Sequence, residues 1–249
     1  GLLWAVVWPN GGIVRSAGQG WTPLSANDGW SLPDAQCVAA DAQGGVWVGT
    51  TGSGLYRWQR GAVTDSLGFS NGLGGNWISA LLATASGEIW IGTGGPDSQH
   101  EVLQRRKAGQ LQTFHLPPGS GPVVALATDF AGDCWAATSG GLLLRVRADV
   151  LTDESGSALA EPHEIRCLLG TPDGSLWIGY GGQGLGRLKA GRFSRCRMDQ
   201  GLHDDYISNI LPDGHGRLWL AGNRGIFSVR QKDLDDFAEG RATRVWSAA

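Results

Sequence analysis

The side chains able to do covalent or metal chemistry are few and scattered along the chain. Cys37, Cys134, Cys167 and Cys196 stand far apart, with none of the paired spacings that make a thiolate cage or a redox couple. Cys37 and Cys167 each precede a recurring Trp by ten residues inside an apolar stretch, which is the setting of a small buried hydrophobe. Of the five His, His100, His163 and His203 fall in loops of separate segments, and no ligand spacing joins them. The paired carboxylates Asp204-Asp205 and Asp235-Asp236 are adjacent, so an extended chain points the members of each pair apart and forms no acid–base dyad. No nucleophile elbow, phosphate loop or zinc helix motif occurs. The sequence therefore nominates no catalytic residue, no metal and no cofactor, and noncovalent recognition is what its chemistry offers.

Composition narrows the partner. The chain of 249 residues has a formal charge of −3, and its Arg and Lys form no long basic run, so neither a nucleic-acid backbone nor an anionic membrane is indicated. No apolar stretch approaches the ~18 residues of a membrane helix, so no direct membrane insertion is expected. The chain starts at Gly1 and its single Met is Met198, from which we expect a piece of a longer polypeptide. With 41 Gly and 12 Trp, it has the punctuation of many tight turns between short buried segments, the economy of an all-β fold.

The elements that must position any binding residue are set by a repeat. Trp4, Trp47, Trp90, Trp135, Trp177 and Trp219 are separated by 43, 43, 45, 42 and 42 residues. Three residues before each stands a Gly, and three before that, in five of the units, an Asp or Thr: Asp41, Thr84, Asp129, Thr171 and Asp213. An oxygen there bonds the turn backbone while Gly takes positive φ, so these Asp are structural. After most of the Trp a third strand opens with Gly and an aliphatic residue, often followed by Arg, as at Arg15, Arg57, Arg145 and Arg187. A fourth, less regular strand completes the unit. Four short antiparallel strands per period predict a β-propeller, with one domain or segment spanning 1–249, almost no helix, and the six Trp buried at equivalent seams between blades. Gly1 begins at the turn before a second strand, so the first blade lacks its inner strand, while Arg241 to Ser247 reads as a fourth strand.

The unit is carried best by DAQGGVWVGTTGSGLYRW at 41–58 and TPDGSLWIGYGGQGLGRL at 171–188. Before the inner strand stand Asp28-Gly29-Trp30, Asn71-Gly72-Leu73 and Gln200-Gly201-Leu202. In this order of elements the chain resembles the two-component regulator propeller repeat, although the unit at Trp135 departs from it with CWAAT. The resemblance implies a non-catalytic sensor of glycan fragments or other small molecules, in the periplasmic or extracellular part of a membrane-anchored bacterial protein. It also implies further propeller blades, a β-sandwich and kinase modules in the parent chain.

Strand alternation brings the loops between second and third strands, and those into the next blade, to one face. That face is expected to carry Trp30, Asn76, Trp77, Asp97, His100, His163, Tyr180, His203, Asp205, Tyr206, Asn223 and Arg224. Aromatics beside amides and acids suit a sugar, whose ring face stacks while its hydroxyls bond. The unit at Trp90 has a lengthened loop from Gly94 to Glu101 on the same face, whereas Arg105, Arg106 and Lys107 read as a solvated charge run. Two other readings stand beside the sensor: a propeller-scaffold lyase with His163 or His203 as base, and a protein-interaction platform.

Overall fold

The structure, a computed structural model, describes residues 3–7, 12–16, 18, 20–31, 34–95, 101–158 and 164–249. The chain forms two compact units, residues 1–123 and 124–249. In the first, three antiparallel sheets follow one another. Blade 1 has three strands among the described residues, Leu3–Val7, Gly12–Ser16 and Thr22–Pro23. Blade 2 (Ala35–Ala40, Val46–Thr50, Leu55–Gln59, Ala62–Leu67) and blade 3 (Ile78–Ala83, Ile89–Thr93, Val102–Lys107, Gln110–His115) have four each. The second unit holds blade 4, whose first strand straddles the division (Val123–Thr128, then Cys134–Thr138, Leu143–Arg147, Val150–Asp153). Blade 5 (Ile165–Gly170, Leu176–Tyr180, Leu185–Lys189, Arg192–Cys196) and blade 6 (Asn209–Pro212, Arg217–Gly222, Gly225–Arg230, Ser247–Ala248) complete it. Strand order follows sequence order in every sheet, as in the blades of a β-propeller.

The recurring residues explain themselves locally. Asp41 Oδ1 accepts the N–H groups of Gln43 at 3.0 Å and Gly45 at 2.8 Å, and Asp129 and Asp213 treat their turns in the same way. The Arg of the third strand pairs directly opposite the Trp: Trp47 with Arg57, Trp135 with Arg145, Trp177 with Arg187. Arg145 lies 4.9 Å over the Trp135 ring and also reaches Asp129 and Asp133, while the Trp135 indole N–H donates to Asp129 at 2.9 Å. Asp, Trp and Arg thus form one packed constellation in blade 4, in which each residue of the motif has a partner.

Four of the six Trp fill the seam to the following blade. Trp4 and Val6 pack with Val46, Val48 and Trp58 of blade 2, and Trp47 with Ile89 and Ile91 of blade 3. In the second unit Trp135 meets Leu176 and Ile178, and Trp177 meets Leu218, Leu220 and Phe227. The Gly two residues after the Trp is a close-approach position: a Cβ on Gly49 would lie 2.5 Å from Ile78 Cγ2 and 2.7 Å from Cys37 Sγ. The Cys37 and Cys167 thiols donate to the carbonyls of Ile78 and Ile207, each at 3.7 Å, and burial pushes both up to about 12. All four Cys are free.

Four expectations are corrected. Trp47, Trp90, Trp135 and Trp177 are buried, but Trp4 is half-buried and Trp219 is 44% exposed. No blade follows Trp219 in the second unit, and Ser228 rather than Arg stands opposite it. The described residues hold almost no helix, as expected, but Gln231–Ala238 is α-helical and buries Leu234, which places Asp235 and Asp236 on a helix rather than in extended chain. Asp235 faces buried Arg187 of blade 5 at 3.0 Å, and burial raises its carboxyl above the ordinary range. The last strand is only Ser247–Ala248 rather than Arg241 to Ser247, with the Val245 N–H donated to the Gln200 carbonyl at 2.8 Å and not to the sheet. Arg105 and Arg106 are not a solvated run, since Arg105 covers Trp90 at 5.5 Å and Arg106 covers Trp47 at 5.1 Å while pairing with Asp65.

Candidate ligand cleft

The Asp28-Gly29-Trp30, Asn71-Gly72-Leu73 and Gln200-Gly201-Leu202 elements build the loops that enter the inner strands of blades 2, 3 and 6. Phe69–Asn71 forms a 3-10 turn, and the Asn71 side chain accepts the Gly68 N–H, just as Asp28 and Gln200 accept those of Ser25 and Arg197. The Gly that follows takes a left-handed φ of 71°, 107° and 100° at Gly29, Gly72 and Gly201. Trp30, Leu73 and Leu202 then bury their side chains and pin the loop. Asn76 closes it, with Oδ1 accepting Phe69 N–H at 2.7 Å and its carbonyl accepting Gly54 N–H at 2.9 Å.

In the first unit this loop and the hairpin after Thr50 enclose a cleft of about 450 Å³, lined by Ser53, Tyr56, Ser66, Leu67, Gly68, Phe69, Ser70, Asn71 and Asn76. Tyr56 is oriented by its hydroxyl, which donates to the Ser53 carbonyl at 2.9 Å, and Phe69 is 60% exposed. Two aromatic rings, three serine hydroxyls and two carboxamides therefore share one opening, with no charged side chain in its lining. Such a surface stacks an apolar ring face and exchanges hydrogen bonds with neutral hydroxyls.

Blade 5 shows what makes the cleft. In register, Gly186 replaces Tyr56, Arg195 replaces Ser66, Gln183 replaces Ser53 and Asp205 replaces Asn76. Arg195 crosses the corresponding space, 4.9 Å over Tyr180 and 5.5 Å over Phe193, and reaches Gln183 at 3.5 Å. Asp205 accepts Met198 N–H at 2.8 Å, the bond that Asn76 makes to Phe69, so both residues also have a structural duty.

The other expected site residues are distributed as follows. Trp30 is buried among Ile13, Leu24 and Val48, and Tyr180 is fully buried in the core of the second unit, so both serve packing. Burial raises the Tyr180 phenol, against the lowering charge of Arg195. Trp77 is half-buried; it bridges to Thr51, and its ring lies so close to Gly95 that a Cβ there would strike it. In the second unit His203 sits 5.2 Å from the Phe227 ring, and Tyr206 lies under the Arg166 guanidinium at 5.4 Å. Asn223 and Arg224 are exposed in the hairpin of blade 6. Buried Asp204 holds that hairpin, accepting the N–H groups of Tyr206 at 3.0 Å and Arg224 at 2.8 Å. Asp97, His100 and His163 lie outside the described residues. Only Asn76 of the expected set lines the first-unit cleft. Tyr56, Phe69, Ser53 and Ser66 were missed, and aligning blade 2 with blade 5 position by position is the signal that finds them. Among the described residues no group of three His, Cys, Asp or Glu could hold a metal, and no helix is long and apolar enough to cross a membrane.

Comparison with known structures defines the class. The chain is similar to the extracellular domain of BT4673 from B. thetaiotaomicron, described as a one component or hybrid two component system, at 21% identity and a TM-score of 0.66 over 90% of this chain and 31% of that one. It is also similar to virginiamycin B lyase from Staphylococcus aureus (15% identity, TM-score 0.71, 92% of this chain and 77% of that one). YCF48 from Cyanidioschyzon merolae gives 16% identity and a TM-score of 0.62 over 90% of this chain and 78% of that one. These likenesses show the β-propeller fold. Within that class, residues 72–95 and 201–224 match the two component regulator propeller family, so the chain carries repeats of that type. It spans 31% of the length of the B. thetaiotaomicron chain. No curated protein matches it.

Proposed function

We propose that the chain is a ligand-sensing segment from the extracellular part of a two component signalling protein, and that its first-unit cleft holds a neutral glycan or similar uncharged small molecule without converting it. The carrying observation is the cleft itself, where Tyr56 and exposed Phe69 stand beside Ser53, Ser70, Asn71 and Asn76 with no carboxylate, imidazole or amine among them. That lining supplies stacking and hydrogen bonds but no general acid or base of ordinary pKa. The regulator propeller repeats at 72–95 and 201–224, and the likeness to an extracellular domain of a two component system, support the signalling context. In this reading the membrane anchor, kinase modules and any further blades belong to the parent chain. A thermal-shift screen against neutral oligosaccharides tests it. A hit should raise the melting temperature of the native chain and lose its effect in Phe69→Ala and Tyr56→Ala. Recovery of a cleaved or eliminated ligand would instead favour catalysis.

A further inference from the structure

Blade 6 ends on an unusual face. In blade 5 the first-strand Leu169, the second-strand Trp177 and the third-strand Leu185 share one side of the sheet, and Leu218, Leu220 and Phe227 of blade 6 cover that side. The same three register positions in blade 6 are Leu211, Trp219 and Ile226, and they are 62%, 44% and 66% exposed. Polar residues would be expected on a sheet face meant for water, yet these positions keep the residue types of a blade junction.

The chain also carries the complementary half of such a junction. What covers a seam Trp is the aliphatic pair flanking the next blade's own Trp: Val46 and Val48 over Trp4, Ile89 and Ile91 over Trp47, Leu176 and Ile178 over Trp135. In blade 1 the flanking residues are Leu3 and Ala5, with Val7 beyond them on the same side, and Leu3 is 63% exposed while Val7 is also exposed. Trp4 and Val6 point the other way, into the blade 2 seam.

We propose that the open face of blade 6 docks blade 1 of a second copy of this chain, head to tail, by repeating the junction that already joins blade 5 to blade 6. The surface pairs Trp219 and Ile226 of one copy with Leu3, Ala5 and Val7 of the other. The contact is heterologous, since the two patches differ, so after pairing one copy keeps a free blade 1 patch and the other a free blade 6 patch.

Sedimentation velocity on the native chain across a roughly hundredfold concentration range tests this, because self-association is driven by mass action. The native chain should associate reversibly. Ile226→Glu, which alters only the tail patch, and Leu3→Asp, which alters only the head patch, should each weaken association roughly tenfold or more, as loss of an anchor does. Both positions are exposed in the single chain, so both variants should keep the native circular dichroism and melting temperature. Phe130→Glu, at an exposed apolar residue elsewhere, should associate like the native chain. Mixing the two patch variants should restore a dimer and nothing larger, because one supplies an intact head and the other an intact tail. A native chain that stays monomeric throughout overturns the proposal, whether Trp219 is quencher-accessible or covered from within its own chain. Association that either variant leaves intact, or that mixing does not restore, overturns it equally, the latter by pointing to a symmetric contact.

Discussion

Trp177 and Trp219 occupy the same place in the repeat under different cover. Trp177 is 1% exposed and packed against blade 6, so Trp177→Ala should cost about 3–5 kcal/mol, the range of large-to-small core changes. Trp219→Ala should cost less than about 1 kcal/mol in the monomer, since little packing is lost at an exposed site. Urea titration of both variants measures the contrast. The Trp spacing was legible in the sequence because the indoles of Trp4, Trp47, Trp135 and Trp177 fill the same kind of seam. Its exception was legible only through Ser228, which stands where Arg187 stands in blade 5. The turn carboxylates carry a pH prediction of definite sign. Burial pushes Asp41 up, but the hydrogen bond and charge of Arg57 and the N–H groups of Gly45 and Gln43 outweigh it and hold the carboxyl below its ordinary range. A lowered folded value means that Asp41 stabilises the fold above the ordinary carboxylate value of about 3.9, and that this is lost as pH falls through the lowered value. Asp41→Asn should therefore be less stable than the native chain at neutral pH, with the gap closing in acid, as followed by denaturant midpoints from neutral pH downward.

At the scale of elements, the connections into the inner strands of blades 2, 3 and 6 stand on 3-10 turns. Gln200 accepts Arg197 N–H at 2.8 Å, and Gln200→Ala should cost about 0.5–2 kcal/mol, as loss of a capping side chain does. Gly201→Ala should cost more, because the position has φ 100° and a Cβ would collide with the Val245 carbonyl oxygen. Thermal unfolding of the two variants checks the order. Strands and turns were readable because Gly, Asp and Trp recur at fixed offsets. The helix Gln231–Ala238 was not, since two turns hold too few apolar positions for a 3.6-residue period to show against the β pattern. Leu234 is its one buried residue, and its anchoring to Arg187 through Asp235 is a tertiary contact that no local pattern announces.

For the whole molecule, the claim is that a scaffold of β-propeller blades carries a neutral recognition cleft at one modified repeat. The loops that carry it were legible from strand alternation, and Asn76 with them. Tyr56, Phe69 and Ser66 were not, because each looks ordinary alone and becomes distinctive only when blade 5 shows Arg195 filling the equivalent space. Replacing Ser66 by Arg should therefore close the cleft by imitating blade 5, abolishing binding with little change in stability. Isothermal titration calorimetry of a neutral oligosaccharide found in the screen tests the central claim most directly, run on the native chain and on Phe69→Ala, Tyr56→Ala and Ser66→Arg. Saturable heat is expected in the native chain, lost in all three variants while each keeps the native circular dichroism, and the ligand should be recovered intact. Heat that persists undiminished in the three variants would place the site elsewhere and contradict the account.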